Sequence, residues 1–410
     1  MGAYLISFHH PTRLLIAICI CCVTSMIGIT LWPVFLVQLR DVWELSNSQI
    51  GWISGAYFVG YVVATPLLVG LTDFLDSRLI FISGCVSSFL GCIGFAFLAN
   101  NFLSAAITYT LVGAGLAGTY MPGLQILNAR LNDDFRVKAV PWYTSSFGLG
   151  AGVSFLIMGY LLAYSNYTVA ASLGAIGALA SGIYVYFFVS PVSPTLSLHK
   201  GANRHPLDLR PAFRKPKAMG YIFAYSAHTY ELFAFRSWSF ALFVFLGDRA
   251  ESTLSFSQIA TIFAFLTVLG MVASTTGAKL CLMFGRHRSI SWIGSFTALL
   301  AVACSLLISA PLWISLGILC VYNVAIMFDS GGLTAGTVSV SDPEDRGALL
   351  AVHSMIGFAG GAIGAPVIGY ALDIAGGEEN LLAWSLALLL MGVGSLLVSI
   401  IQSRIWRYNH

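Results

Sequence analysis

The chain has 410 residues, 58% of them hydrophobic and only 9% Asp, Glu, Lys or Arg, with a formal net charge of +3. A soluble globular protein carries about 25% charged residues, so this composition excludes a surface built for water, and so small a net charge gives no footprint for nucleic acid. The eight cysteines (Cys19, Cys21, Cys22, Cys85, Cys92, Cys281, Cys304 and Cys320) all lie in apolar runs without metal-ligand spacing, and read as small buried hydrophobes.

A hydrocarbon core about 30 Å thick takes roughly 20 apolar residues per helix. Twelve such runs follow in chain order: 14–37, 48–70, 79–99, 102–127, 140–163, 168–190, 219–246, 257–282, 289–309, 312–336, 348–372 and 381–402. All are too long for barrel strands of about 10 residues. The first follows His9, His10 and Arg13, but it is long and has no A-x-A site after it, so it reads as a retained helix. Threading the chain through twelve spans puts seventeen Lys and Arg on one side and only Arg40 and Arg249 on the other, with Arg236 alone inside a helix. Basic excess marks the cytoplasmic side. The expectation is an all-α, multi-pass protein of the cell (inner) membrane with both termini cytoplasmic.

The longest polar stretch, Pro191 to Lys217, falls at the middle of the helix count. It divides the chain into an expected N-terminal six-helix bundle (1–190), a cytoplasmic linker (191–216) and a C-terminal six-helix bundle (217–410). The halves match at one offset. Arg136 aligns with Arg346, Gly159-Tyr160 with Gly369-Tyr370 and Arg78 with Arg288, each pair 210 residues apart. Internal repeats of this kind build carriers that expose a central site to each side in turn.

The loop between the second and third runs reads Gly70-Leu71-Thr72-Asp73-Phe74-Leu75-Asp76-Ser77-Arg78. With the 6+6 helices and the basic central loop, it resembles the major facilitator superfamily, whose signature there is roughly G-x-x-x-D-R-x-G-R-R. Asp73 and Arg78 match; Phe74 and Asp76 replace the family's Arg and second Gly. The second-half loop keeps Phe284-Gly285-Arg286-His287-Arg288 but has Cys281 where the acid would be. The family's helix-4 Arg is also replaced, with Tyr109 near its place. The resemblance implies two pseudo-symmetric bundles, a central cavity lined by helices 1, 4, 7 and 10, and a gating role for Asp73, Arg78, Arg286 and Arg288. It also implies that helices 5 and 11 meet the other half, where Gly148-xxx-Gly152, Gly357-xxx-Gly361 and Gly360-xxx-Gly364 would allow close approach.

A charge at mid-membrane costs at least about 2.5–3.5 kcal/mol. Glu231, Arg236 and Asp329 are therefore the main candidates, with His228 and His353 as titratable neighbours. His228 and Glu231 share a helix face at i,i+3, which suits them to carry a proton; Asp329 and His353 are the further members of that set. Arg236 lies five residues past Glu231, about 140° round the helix, and offers a fork for a carboxylate or phosphate. An Arg236–Asp329 or Arg236–Glu231 bridge is the structural alternative. Gly118-Thr119-Tyr120-Met121-Pro122-Gly123 and Asp329-Ser330-Gly331-Gly332 hold interruptions 210 residues apart, the pattern that points to a carrier's site. The expected substrate set is thus Arg236, Thr119, Tyr120, Asp329, Tyr230 and Trp238, with Trp142 as a further wall.

The chain has no G-x-x-x-x-G-K-[ST] loop for ATP, no HExxH, no nucleophile elbow and no Cys/His metal set. The expected function is secondary active transport of a small organic solute, leaning to an anion moved with protons, by a monomer in the lipid bilayer that needs no cofactor. Proton-antiport export of a drug-like cation, or a transport-dead sensor, are the rival readings.

Overall fold

The structure, a computed structural model, describes residues 11–72, 74–192, 210–252, 254–342 and 346–407. Twelve long helices fill it, with no strand among the described residues. They are α1 Pro11–Val42, α2 Asn47–Leu71, α3 Ser77–Leu98, α4 Phe102–Arg130, α5 Asp133–Tyr164 and α6 Tyr167–Phe188. The series continues with α7 Pro216–Arg249, α8 Phe256–Phe284, α9 Arg286–Leu307, α10 Leu312–Ser339, α11 Arg346–Ile374 and α12 Leu381–Arg407. Eleven are long and apolar enough to cross a membrane. The exception, α7, is 34 residues long but carries His228, Glu231 and Arg236.

Polar punctuation starts the helices. Asn101 accepts from the Ser104 amide at the start of α4, Asn132 from Phe135 at α5, Asn166 from Val169 at α6 and Ser255 from Gln258 at α8. Each cap satisfies an amide that has no partner in the first turn. The 210-residue offset reappears in the backbone: α4 begins at Phe102 and α10 at Leu312, while α5 ends at Tyr164 and α11 at Ile374.

Two helices break, α1 against expectation and α10 at the interruption its sequence predicts. A 3₁₀ turn at Ile27–Thr30 interrupts α1, and α10 is interrupted between Ile326 and Ser330, at Asp329. The corresponding interruption expected in α4 does not occur; that helix runs unbroken through Pro122. Pro122 removes one amide donor, and the Tyr143 hydroxyl serves the carbonyls just before it, donating to Tyr120 O at 2.7 Å.

Along the seam between the halves, α2 packs on α11 and α5 on α8. A side chain at Gly51 or Gly55 would strike the α11 carbonyls of Ala365 and Ala362. The glycines expected to serve this seam on α11 divide their work. Gly357, Gly360 and Gly364 admit α7 of the same half, against Tyr225, Ser226 and Tyr230, whereas Gly361 meets Phe58 of α2 as well as Phe233. On α5, Gly148 and Gly152 do face α8.

Candidate functional site

Arg236 enters a cavity of about 60 Å³ between the halves. Tyr57, Phe58, Tyr109, Phe147 and Phe155 line it from the first half, and Phe233 and Phe358 from the second. Phe58 stacks across the seam on Phe233 at 4.2 Å between ring centres, and Tyr61 on Phe358 at 4.2 Å. A water needs about 10–15 Å³ of such space, so the cavity as it stands has room for a few waters but not for an organic solute.

Neither bridge considered for Arg236 forms. Among the described residues no carboxylate lies within 4.0 Å of it, and its recorded contact is the Met327 sulfur at 3.8 Å. The break in α1 forms the opposite wall, with Ile29 and Thr30 in the lining. Tyr109, at the place of the family's Arg, donates to the freed Ile29 carbonyl at 2.5 Å, and Ser154 donates to Ile27 O at 2.6 Å. A neutral hydroxyl thus does here what the substituted position requires: it satisfies a backbone acceptor that would otherwise be buried unpaired.

The acids sit deeper, inside the second half. The Asp329 carboxylate, at the α10 break, lies 2.7 Å from Nδ1 of His228, and both side chains are buried. The other ring nitrogen of His228 has no partner. Tyr225 stacks on His228 at 5.6 Å and on His353 at 4.1 Å. His353 in turn meets the hydroxyls of Thr337 at 3.2 Å and Thr334 at 3.5 Å. Glu231, fully buried, shares the α10-facing side of α7 with His228 but bonds elsewhere. It accepts from the Tyr322 hydroxyl at 2.5 Å and from Ser395 of α12.

The remaining substrate-site residues lie apart from the cavity lining. Thr119 bonds the carbonyls of its own helix, Gly115 and Leu116. Tyr120 stacks on Tyr143 and meets the Phe147 ring at a tilt. Tyr230 donates to Leu390 O on α12. Trp238 is buried with its indole N–H on Ala365 O and its ring against Trp384. Trp142, 71% exposed, is no wall. In each case the aromatic or hydroxyl group found a partner in its own neighbourhood, which position along a helix does not reveal.

The two ends of the bundle are closed differently. At the end carrying the turns after α2, α4, α8 and α10, here the even-turn end, contacts stay within a half. Arg78 donates to Val189 O, and Arg130 reaches both Asp76, at 3.0 Å, and Ser190 O. Arg286 donates to Ser339, and Arg288 lies 4.3 Å over the Trp292 ring. Asp73 lies outside the described residues. At the opposite, odd-turn end, contacts cross the halves. Asp373 of α11 accepts from the Asn47 and Ser48 amides of α2 at 2.9 and 2.8 Å, and from the Ser48 hydroxyl at 2.5 Å. Arg40 pairs there with Glu378.

The family model of the Major Facilitator Superfamily matches residues 14–342. The chain belongs to the Major Facilitator Superfamily. It is 23% identical over 358 residues to the uncharacterized MFS-type transporter YceJ of Bacillus subtilis, covering 82% of this chain and 83% of that one. It is also 23% identical over 161 residues to the niacin transporter NiaP of Acinetobacter baylyi; that match covers 39% of this chain and only 36% of NiaP. Among solved structures it resembles the nucleoside transporter NupG, with a TM-score of 0.75 at 12% identity over 97% of this chain and 99% of that one. A bacterial homolog of the human lysosomal transporter Spinster, inward-facing and unoccupied, gives 0.74 at 15% identity over 97% and 96%. These relatives are transporters, not enzymes, and the likeness to the structures fixes the twelve-helix fold in two pseudo-symmetric bundles.

Proposed function

We propose that the protein is a secondary active transporter that moves a small organic anion, one joining a flat ring to a carboxylate, by alternating access. The carrying observation is Arg236, a cation without a carboxylate partner among the described residues in a cavity walled by aromatic rings. A buried unpaired guanidinium is costly, and a substrate carboxylate supplies the bidentate partner it lacks. The rings suit offset or edge stacking on a flat solute. A relative named for niacin, an aromatic carboxylate, supports this class.

In this reading, residues 1–190 and 217–410 move as two bundles joined by the 191–216 linker. Both termini and the even-turn end face the cytoplasm of a cell whose inner membrane holds the protein as a monomer. The cavity widens to load solute and closes around it. The coupling proton is carried by the Asp329–His228 pair at the α10 break, with Glu231, tied to α10 through Tyr322, as the second acid and His353 as the neighbour stacked through Tyr225.

Uptake of radiolabelled benzoate and nicotinate into proteoliposomes under an inward pH gradient tests the proposal. Arg236→Gln should reduce uptake at least tenfold and Arg236→Lys nearly as much, because Lys loses the planar fork. Undiminished uptake in both variants would remove Arg236 from the site. Asp329→Asn keeps an acceptor for His228 but carries no proton, so it should abolish uphill accumulation while sparing counterflow exchange. If only Glu231→Gln has that effect, the proton route runs through Glu231 instead.

A further inference from the structure

The even-turn corners of the two halves differ at one position by two units of charge. In the first half Asp76 neutralises Arg130 at 3.0 Å. The residue 210 positions on is Arg286 instead of an acid. Among the described residues no carboxylate lies within 4.0 Å of Lys279, Arg286 or Arg288. The first corner thus holds an acid between two arginines, whereas the described residues of the second set Lys279, Arg286 and Arg288 without a paired carboxylate.

A groove of about 560 Å³ runs from this corner between α8, α9 and α10. Its lining is almost wholly hydrocarbon, and Trp292, Phe296 and Val321, each more than half exposed, leave it open along its side. Leu266 and Leu280 mark its length on α8. Fourteen residues of helix span about 21 Å, somewhat more than one leaflet of a hydrocarbon core about 30 Å thick. Arg288, exposed, holds its guanidinium over Trp292, and the exposed Lys279 adjoins Leu280.

We propose that the groove binds an anionic phospholipid, one acyl chain lying along α8–α10 and the phosphate held by Arg288 and Lys279. Apolar length and uncompensated charge coincide at one mouth, the arrangement by which basic pockets between membrane helices take acidic headgroups. The chain would lie against Val324, Ala325 and Phe328, the last turn before the α10 break, and so behind Asp329. This site is separate from the solute cavity and stands without the transport reading.

Native mass spectrometry of the full chain, purified with dioleoylphosphatidylglycerol or dioleoylphosphatidylcholine, tests it. Phosphatidylglycerol should be retained in preference. At about 1 kcal/mol per basic residue near the surface, Arg288→Gln should weaken retention about fivefold, and the Lys279→Gln/Arg288→Gln pair about 25-fold. Val321→Trp, which fills the groove from its exposed side, should lose both lipids while melting as the wild type does in lipid-free detergent. Equal retention of the two lipids, an unchanged double variant, or competition by inorganic phosphate as effective as by the lipid would each overturn the site.

Discussion

Helices α4 and α10 begin 210 residues apart, yet their backbones differ at the matching place. In α4 a proline sits in an unbroken helix, and a neutral tyrosine hydroxyl from α5 donates to the carbonyls of Tyr120 and Thr119 beside it. In α10 the helix breaks, and the break presents a carboxylate to a buried histidine. The first solution has one protonation state and acts as a strut. The second sets a carboxylate against an imidazole inside the bundle. All three mid-membrane charges lie on α7 and α10, so the charged residues buried at mid-membrane belong to the second half.

The sharpest way to break this comparison is to remove Asp329. Asp329→Ala strands His228 in a buried site, and losing one member of a buried pair costs about 3–5 kcal/mol. The yield of monodisperse protein in size-exclusion chromatography should collapse. Thr119→Val, at the matching place on α4, should leave it near wild type, since only an intrahelical hydroxyl contact is lost. Equal losses in the two variants would erase the distinction between strut and hinge.

Tyr322→Phe comes next. It takes one of two donors from a fully buried Glu231, and an unsatisfied buried acceptor costs about 1–3 kcal/mol. Thermal melting should fall accordingly, and restoring Tyr should be the only change needed to recover it. Tyr143→Phe withdraws the hydroxyl from the α4 carbonyls and should cost about 0.5–1.5 kcal/mol, with transport kinetics unaltered in the same preparation. Arg40→Gln breaks an ion pair whose two side chains are 23% and 18% exposed. Partly exposed pairs contribute about 0–1 kcal/mol, so denaturant midpoints should scarcely move. A large shift there would mean that the odd-turn end carries more of the fold's stability than α10 does.

Much of this was legible in the sequence because length and apolarity dictate membrane helices directly. The twelve runs, the 210-residue register and the choice of α7 and α10 as the charged helices all follow from residue counts and insertion cost. The contacts of the charges did not follow. The bridge from Arg236 to an acid, the structural alternative, does not form: its side chain runs to the seam, while Asp329 and Glu231 turn into the second half toward His228, Tyr322 and Ser395. Those partners lie on other helices, at separations of 91 to 164 residues for the hydrogen bonds, beyond the reach of any local pattern. Phe233 was within reach: it precedes Arg236 by three residues and so shares its face. The α1 break carried Gly28 and Pro33 as signals, the proline removing the amide that would serve the Ile29 carbonyl, but no charge drew attention to it.

The contact that Asp373 makes across the seam has a consequence for populations. Water replaces a helix cap readily, and removing one costs about 0.5–2 kcal/mol. That contact alone therefore weights the closed odd-turn end over an open one by only about 2- to 30-fold. A solute that binds the open form thirtyfold more tightly would cancel the weighting of this contact.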